Sequence, residues 1–365
     1  GVNSSPLRTA IVGLGLAGKE HAARIVAEPT DFMLVAGCDM SPETRAAFGT
    51  AYPGIPIYGD FAEMLAREHP DVVVIATTAP PRSALTLQAV AAGVRGLYVE
   101  KPISVSLGEA RRMVAACVAK DVPLIVNHQR RTLPVFRAMR RLIAGGAIGG
   151  IRSIRASCAG DLLSDGTHLV DTVRFLVGDA PVSWVAGMVT LQADGTRPSA
   201  DPRFTGVRYG HAVEHGCIGI MAFGNGIRAE LHTGALQFPG TRYQFYEVIG
   251  SDGRLMRDGD TSPLLVQDQM AGGWREATIE PVDGLPPPRG LAHPENYRDL
   301  ARLGRGERFQ HPLAAASALA DHEILMGILE SARVHECIAL PVTQEEYPID
   351  LLRAEVAEQM RARST

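Results

Sequence analysis

Three small groups of residues in this chain have the types and spacing that chemistry requires. Gly13, Gly15 and Gly18 stand in G-x-G-x-x-G order, directly after the apolar run Ala10-Ile11-Val12 and before a helical stretch through His21 and Ile25. A strand, a tight turn and a helix start in that order turn backbone N–H groups toward an anion, and the missing side chains let the pyrophosphate of a dinucleotide approach. The second group is Glu100-Lys101-Pro102, at the end of a short apolar run. An ammonium at a strand end, with proline fixing the backbone beside it, is a charge aimed into the crevice where a nicotinamide would lie. The third is His168 with Asp171 three positions later on one helical face. Imidazole titrates near neutral pH, so the pair suits general acid–base work.

Asp39 strengthens the dinucleotide reading, because it lies 21 residues beyond Gly18 at the end of the second apolar run. A carboxylate there accepts hydrogen bonds from the adenosine ribose and repels a 2′-phosphate, which predicts NAD in preference to NADP. Leu16, Ala17, Thr77, Glu100 and Lys101 complete the expected cofactor contacts. Blander readings stand beside these. The glycines can serve packing alone, Asp39 can cap the helix after Ser41-Pro42, and Lys101 can be a surface partner of Glu100. His168 can be a helix histidine satisfied locally, and Asp171 can pair with Arg174 on the surface.

The elements that must position these groups are readable in the apolar pattern. Between residues 9 and about 127, short β runs at 9–14, 33–39, 71–76, 96–99 and 124–127 alternate with helical patterns such as 82–92 and 107–120. That alternation predicts a doubly wound parallel sheet, and continuous runs such as Val72-Val73-Val74-Ile75 suit strands covered on both faces. Helices are then expected at 134–144 and 166–177, with strands at 151–158, 185–191, 216–223, 227–233, 244–249 and 276–279. Asn225-Gly226 between two alternating runs is a hairpin signal. Residues 192–208 and 281–294, rich in Pro, Gly and Asp, read as long loops. A long helix at 313–335 and a last one from about residue 350 follow. The fold class is therefore α/β in an N-terminal Rossmann domain (6–127), then α+β with a large open, mainly antiparallel sheet (128–349) and a C-terminal helix (350–365).

Composition excludes several kinds of partner. The chain of 365 residues has 46% apolar and 21% charged residues and a formal charge of −4, with no basic cluster to hold a nucleic acid. No apolar run approaches the ~18 residues of a membrane span, and the opening residues lack the pattern of a secretory signal. Gly1 to Ser5 read as a flexible leader outside the fold. Five scattered cysteines without C-x-x-C argue for reduced thiols in a cytoplasm. His211-Ala212-Val213-Glu214-His215 matches H-x-x-E-H, but glycines bracket it and an alternating strand follows, so no zinc site and no other metal is expected. On a strand His211 and His215 would share a face, and His232 on the next strand could join them.

Taken together, Gly13-Leu14-Gly15-Leu16-Ala17-Gly18-Lys19-Glu20-His21, Glu100-Lys101-Pro102, Gln129-Arg130-Arg131 and Asp165-Gly166-Thr167-His168-Leu169-Val170-Asp171 resemble the Gfo/Idh/MocA family, the glucose-fructose oxidoreductase and inositol dehydrogenase group. The tail Leu329-Glu330-Ser331-Ala332-Arg333 before Leu340-Pro341-Val342 is similar as well. The resemblance implies a catalytic Lys101, substrate and nicotinamide contacts from Gln129 and Arg130, and assembly through the open sheet into a dimer or tetramer. Family members commonly carry an aspartate four residues before the histidine, where this chain has Ser164. Asp165 either reaches the substrate in its place or caps the helix begun at Gly166, with Asp161 further back. The expected activity is NAD-dependent hydride transfer at a secondary alcohol of a sugar, sugar derivative or cyclitol. Lys101, His168 and Asp165 are the catalytic set, and Gln129, Arg130, Asp161, Ser164, Asp171, His211 and His215 the substrate set. A reductase of a non-sugar carbonyl, diol or imine and a non-catalytic NAD-binding regulator are the alternatives.

Overall fold

The computed structural model describes residues 5–191, 206–268, 272–279 and 291–364. In chain order the first elements are β1 (Leu7–Val12), α1 (Leu16–Ala27), β2 (Phe32–Cys38), α2 (Pro42–Ala51), β3 (Ile57–Tyr58), α3 (Phe61–Glu68), β4 (Val72–Ile75), α4 (Arg82–Ala91), β5 (Gly96–Val99), α5 (Leu107–Ala119) and β6 (Leu124–Val126). Next come α6 (Pro134–Ala144), β7 (Ile151–Cys158), α7 (Gly166–Leu176), β8 (Val182–Thr190), β9 (Val207–Arg208), β10 (His211–Ala212), β11 (Gly216–Phe223) and β12 (Arg228–Gly234). The last are β13 (Gln244–Gly250), β14 (Gly253–Asp258), β15 (Leu265–Asp268), β16 (Trp274–Glu276), α8 (Pro294–Gly304), α9 (Ala315–Val334), β17 (Ile338–Ala339) and α10 (Pro348–Ser364).

The chain divides into two compact units. The described residues of the first are 5–104, 109–132 and 291–319. Its six strands are parallel in the order β3-β2-β1-β4-β5-β6, so the direction of winding reverses between β1 and β4. Alternate residues of each strand enter opposite cores. Ala10, Val12, Val73, Ile75, Leu97 and Val99 face one, while Leu7, Ile11, Val72, Val74 and Tyr98 face the other. Both faces are covered, which is why these strands read as unbroken apolar runs. Ser41 starts α2 by accepting the Thr44 N–H at 3.2 Å, with Pro42 at the first helical position.

One boundary needs correction. The sequence reading ended the first domain at residue 127, but α8 returns to it, because Tyr297, Leu300, Ala301 and Leu303 complete the core that includes Leu7, Val72 and Tyr98. Residues 105–108 group with the second unit instead.

Among the described residues the main sheet of the second unit has nine strands in the order β16-β15-β14-β13-β7-β12-β11-β8-β17, antiparallel except for the parallel pair β7 and β12. Ile154, Ala156, Met221, Leu231, Tyr246 and Val248 face the core, where α7 packs on β7. Gly226, at φ +92°, closes the expected hairpin between β11 and β12. Other details differ from expectation. Strand β16 covers Trp274–Glu276 rather than 276–279. Strand β14 was not anticipated, because its inward positions include a buried charge: Arg257 donates to the Gly259 carbonyl at 2.9 Å and lies 5.4 Å from the Phe136 ring centre. Residues 207–208, read as loop, pair with β10. Residues 192–205 of that expected loop, most of the loop at 281–294 and the leader before Ser5 lie outside the described residues.

Candidate active site

In the first unit the expected cofactor residues line the carboxyl ends of the strands. Asp39 follows β2, Gly13 follows β1, Thr77 follows β4 and Lys101 follows β5, in the order in which those strands stand in the sheet. Gln129 and Arg130 follow β6 in a buried 3-10 turn, Gln129–Thr132. Ligands of open α/β sheets bind at this edge where the winding reverses. Each glycine has a distinct steric reason. Gly13 has φ +88°, and a Cβ on it would lie 2.6 Å from the Thr77 nitrogen; one on Gly18 would lie 2.0 Å from the Gly13 carbonyl oxygen. At Gly15 a Cβ would meet nothing within 4 Å. Gly15 is also the cap of α1, and no side chain accepts from the helix N-terminus there. Open space beside bare helix N–H groups fits a dinucleotide pyrophosphate. Asp39 braces the same turn: its oxygens accept the Leu14 N–H at 2.9 Å and the Ser41 N–H at 2.8 Å. The cap of α2 is Ser41 itself, so Asp39 is not consumed by that role.

Lys101 is joined to Pro102 by a cis peptide bond. The buried Arg82, absent from the sequence-derived set, ties this bend down by donating to the Pro102 carbonyl and the Thr77 carbonyl. Burial lowers its guanidinium to about 10, against the opposing charge of Glu100, so it remains protonated at neutral pH. Glu100 is turned inward, where one oxygen accepts from His21 at 2.7 Å and from Asn127 at 2.8 Å. Burial alone would push its carboxyl up, but these bonds, with the charges of His21 and Arg82, hold it below the usual range. His21 also bonds the Tyr297 hydroxyl at 2.6 Å. Helix α1, the Glu-Lys-Pro bend and α8 thus share one buried polar network.

In the second unit His168 and Asp171 lie buried on α7, one helical turn apart. Burial removes the surface-pair reading of Asp171, and Arg174 pairs with Asp321 at 2.6 Å. The loop before α7 gathers Asp161, Ser164 and Asp165. Asp161 accepts the Ser164 N–H at 2.8 Å through its side chain, and its carbonyl accepts the Asp165 and Gly166 N–H groups. Asp165 stands at the cap position of α7, yet its side chain makes no capping bond. Its carboxylate accepts instead from Arg208 and from the Tyr243 hydroxyl, and Arg208 also bridges to Asp161 at 2.9 Å. Burial would lower the Arg208 guanidinium, but the two aspartates hold it firmly protonated.

His211 joins this cluster through the Ser164 hydroxyl at 3.1 Å. His215 does not share its strand, which corrects the expectation of a common face. Strand β10 ends at Ala212, and the backbone of His215 bonds Thr190 and Ala235. His232 is turned elsewhere and bonds Glu230 beside Phe238. The sequence reading also missed Arg208, Tyr243 and Glu214. The first lay at the end of a segment read as loop, and the last within a pattern read only for zinc.

Comparison with known proteins agrees with this organisation. Residues 7–128 match the Gfo/Idh/MocA model described as an oxidoreductase family with an NAD-binding Rossmann fold, and residues 136–256 match the Gfo/Idh/MocA C-terminal domain. The chain is 35% identical to a D-apiose dehydrogenase of Paraburkholderia graminis over 195 residues, 52% of this chain and 51% of that one. It is 27% identical to an inositol 2-dehydrogenase of Burkholderia multivorans over 48% of this chain and 56% of the other. The matches thus span about half the length of these relatives. Among solved structures, the WlbA dehydrogenase from Bordetella pertussis, in complex with NADH and UDP-GlcNAcA, superposes with a TM-score of 0.72 at 22% identity. That match covers 92% of this chain and 99% of the other.

Proposed function

Because this chain belongs to the Gfo/Idh/MocA oxidoreductase family, we propose that it moves a hydride between NAD and a secondary alcohol of a sugar, sugar derivative or cyclitol. One observation carries the reading: the open glycine cradle, Asp39 and Lys101 stand on the carboxyl edge of one sheet, on neighbouring strand ends. NAD supplies the two-electron step at its nicotinamide ring. Lys101 stabilises negative charge developing on the reacting oxygen, and His168 exchanges the proton. Asp161, Ser164 and Asp165 hold neighbouring hydroxyls, with Gln129, Arg130 and Asp171 as further contacts. The named relatives, a D-apiose dehydrogenase and an inositol 2-dehydrogenase, support a small polyhydroxylated substrate.

Lys101→Ala is expected to lower kcat at least ~100-fold, the usual scale for a proton-handling group, while NADH still binds in a fluorescence titration. Ordinary turnover in that variant sinks the mechanism. A panel of sugars, amino sugars and inositols, read by NADH absorbance, identifies the substrate. A homo-oligomer is also part of the proposal. The outward face of the nine-stranded sheet carries Met188, 54% exposed, beside the half-buried Ile218 and Ile220, an apolar surface suited to a second copy. Light scattering coupled to size exclusion tests this, and a monomer at all concentrations refutes it. All five cysteines are free and four are buried, which supports a reducing, cytoplasmic setting.

A further inference from the structure

Hydride transfer leaves one part of the His211-to-His215 segment unused. Glu214 is 0% exposed. Its Oε1 accepts the Leu162 N–H at 2.5 Å, and its Oε2 has no hydrogen-bond partner among the described residues. Leu162 lies in the loop that carries Asp161, Ser164 and Asp165, and that loop runs into α7, where the His168 N–H bonds the Asp165 carbonyl at 3.1 Å. Arg208 and Tyr243 hold the loop's aspartates, His211 meets the Ser164 hydroxyl, and Gln244 donates to the Asp165 carbonyl at 3.4 Å where the loop enters α7. Glu214 is thus the buried side chain that accepts a backbone N–H of the middle of the loop, at Leu162.

Charge accounting constrains its form. Asp161 and Asp165 already share the single guanidinium of Arg208. An ionised Glu214 would be a further negative charge beside Asp161, out of water, with one oxygen unbonded. Burial first, then Asp161, push its carboxyl up to about 7, although the Leu162 amide and Glu214's own backbone N–H oppose this. Among the described residues, Cys158, Cys217 and Tyr347 also feel Glu214; burial raises the pKa of each and keeps it neutral at pH 7, so none of the three offsets the charge.

We propose that Glu214 is a positioning residue: as a neutral carboxylic acid it holds the Leu162 amide and so fixes the loop presenting Asp161, Ser164 and Asp165 to substrate hydroxyls. Its consequence for activity rests on the hydride-transfer reading; the loop support does not. Ionisation puts a repelled, unsolvated charge under the loop, which loosens.

The test measures amide hydrogen exchange of residues 160–166 across pH, corrected for intrinsic rates, and steady-state kinetics with the substrate found by the panel. In the wild type, protection is expected to fall and KM to rise about tenfold between pH 6 and 9, the scale of one good buried hydrogen bond, with kcat changing less. Glu214→Gln keeps a neutral acceptor for Leu162, so its protection and KM should stay level across that range and match the acidic wild type. Glu214→Ala should lack protection at every pH. NADH affinity should be the same in all three. The proposal is overturned if Glu214→Gln behaves like Glu214→Ala, or if wild-type protection is flat with pH. The exchange measurement needs no turnover, so failure to find any sugar substrate counts against the activity alone. If Glu214→Ala does not fold, the comparison of wild type with Glu214→Gln still decides.

Discussion

Both oxygens of Asp39 already accept a backbone N–H, one from Leu14 within the glycine turn and one from Ser41. The carboxylate thus has two effects on the dinucleotide: it keeps the turn in shape and places a negative charge where a 2′-phosphate would sit. Asp39→Ala removes both. NADH affinity should weaken about tenfold, as for loss of a charge-assisted bond, while NADPH affinity weakens less because the repulsion is gone. Titration of both cofactors checks this, and an unchanged preference would refute the role of Asp39. Gly13, Gly15, Gly18 and Asp39 were legible because their meaning lies in local spacing. The partners of Asp165 were not: Arg208 and Tyr243 lie 43 and 78 residues along the chain, and no pattern within a window joins them. Long-range contacts take the Asp165 carboxylate to Arg208 and Tyr243, which leaves the α7 cap without a side-chain acceptor.

Helix α7 was readable as an element, and what fixes its start was not. Gly160 shows the constraint. A Cβ there would lie 1.6 Å from Asp165 Oδ2 and 2.7 Å from Arg208 Nη1. The Asp165 carboxylate is held on both oxygens, so it gives way only by leaving Arg208 or Tyr243. Gly160→Ala should therefore cost about 1–3 kcal/mol, the range for overpacking a tight site, and raise KM for the polyol more than it lowers kcat. Calorimetry and steady-state kinetics read the two effects. An unchanged KM would mean that Asp165 does not hold the substrate. Strand β14 and helix α8 mark the limit of pattern reading at this scale. One carries an inward arginine, and the other follows a stretch dominated by proline.

At the scale of the whole chain, alternation of strand and helix was enough to place a parallel sheet before an antiparallel one, because each period reports its own environment. The return of α8 to the first unit was not visible, since covering a sheet with a distant helix leaves no local mark. Global pH dependence is also a property of the folded whole, and Glu214 gives it a direction. Its carboxyl rises from 4.5 to about 7 on folding, through burial and Asp161. Between those values the folded chain binds more protons than the unfolded one, so stability falls as pH rises. The contribution is fully present below 4.5, fades through the window and is absent above about 7. A shift of that size is worth on the order of 3 kcal/mol as an upper limit. Glu214→Gln cannot ionise and should flatten this slope. At pH 5 it should unfold at or slightly below the wild-type temperature, because a buried amide replaces a carboxylic acid and leaves an N–H to satisfy. At pH 8 it should unfold above the wild type. The measurement is the difference between variants at each pH, taken on the transition that contains the second unit, because the two units need not melt together. Parallel wild-type and variant curves from pH 5 to 8 would place the Glu214 proton loss outside that range and remove the charge argument for its neutral form.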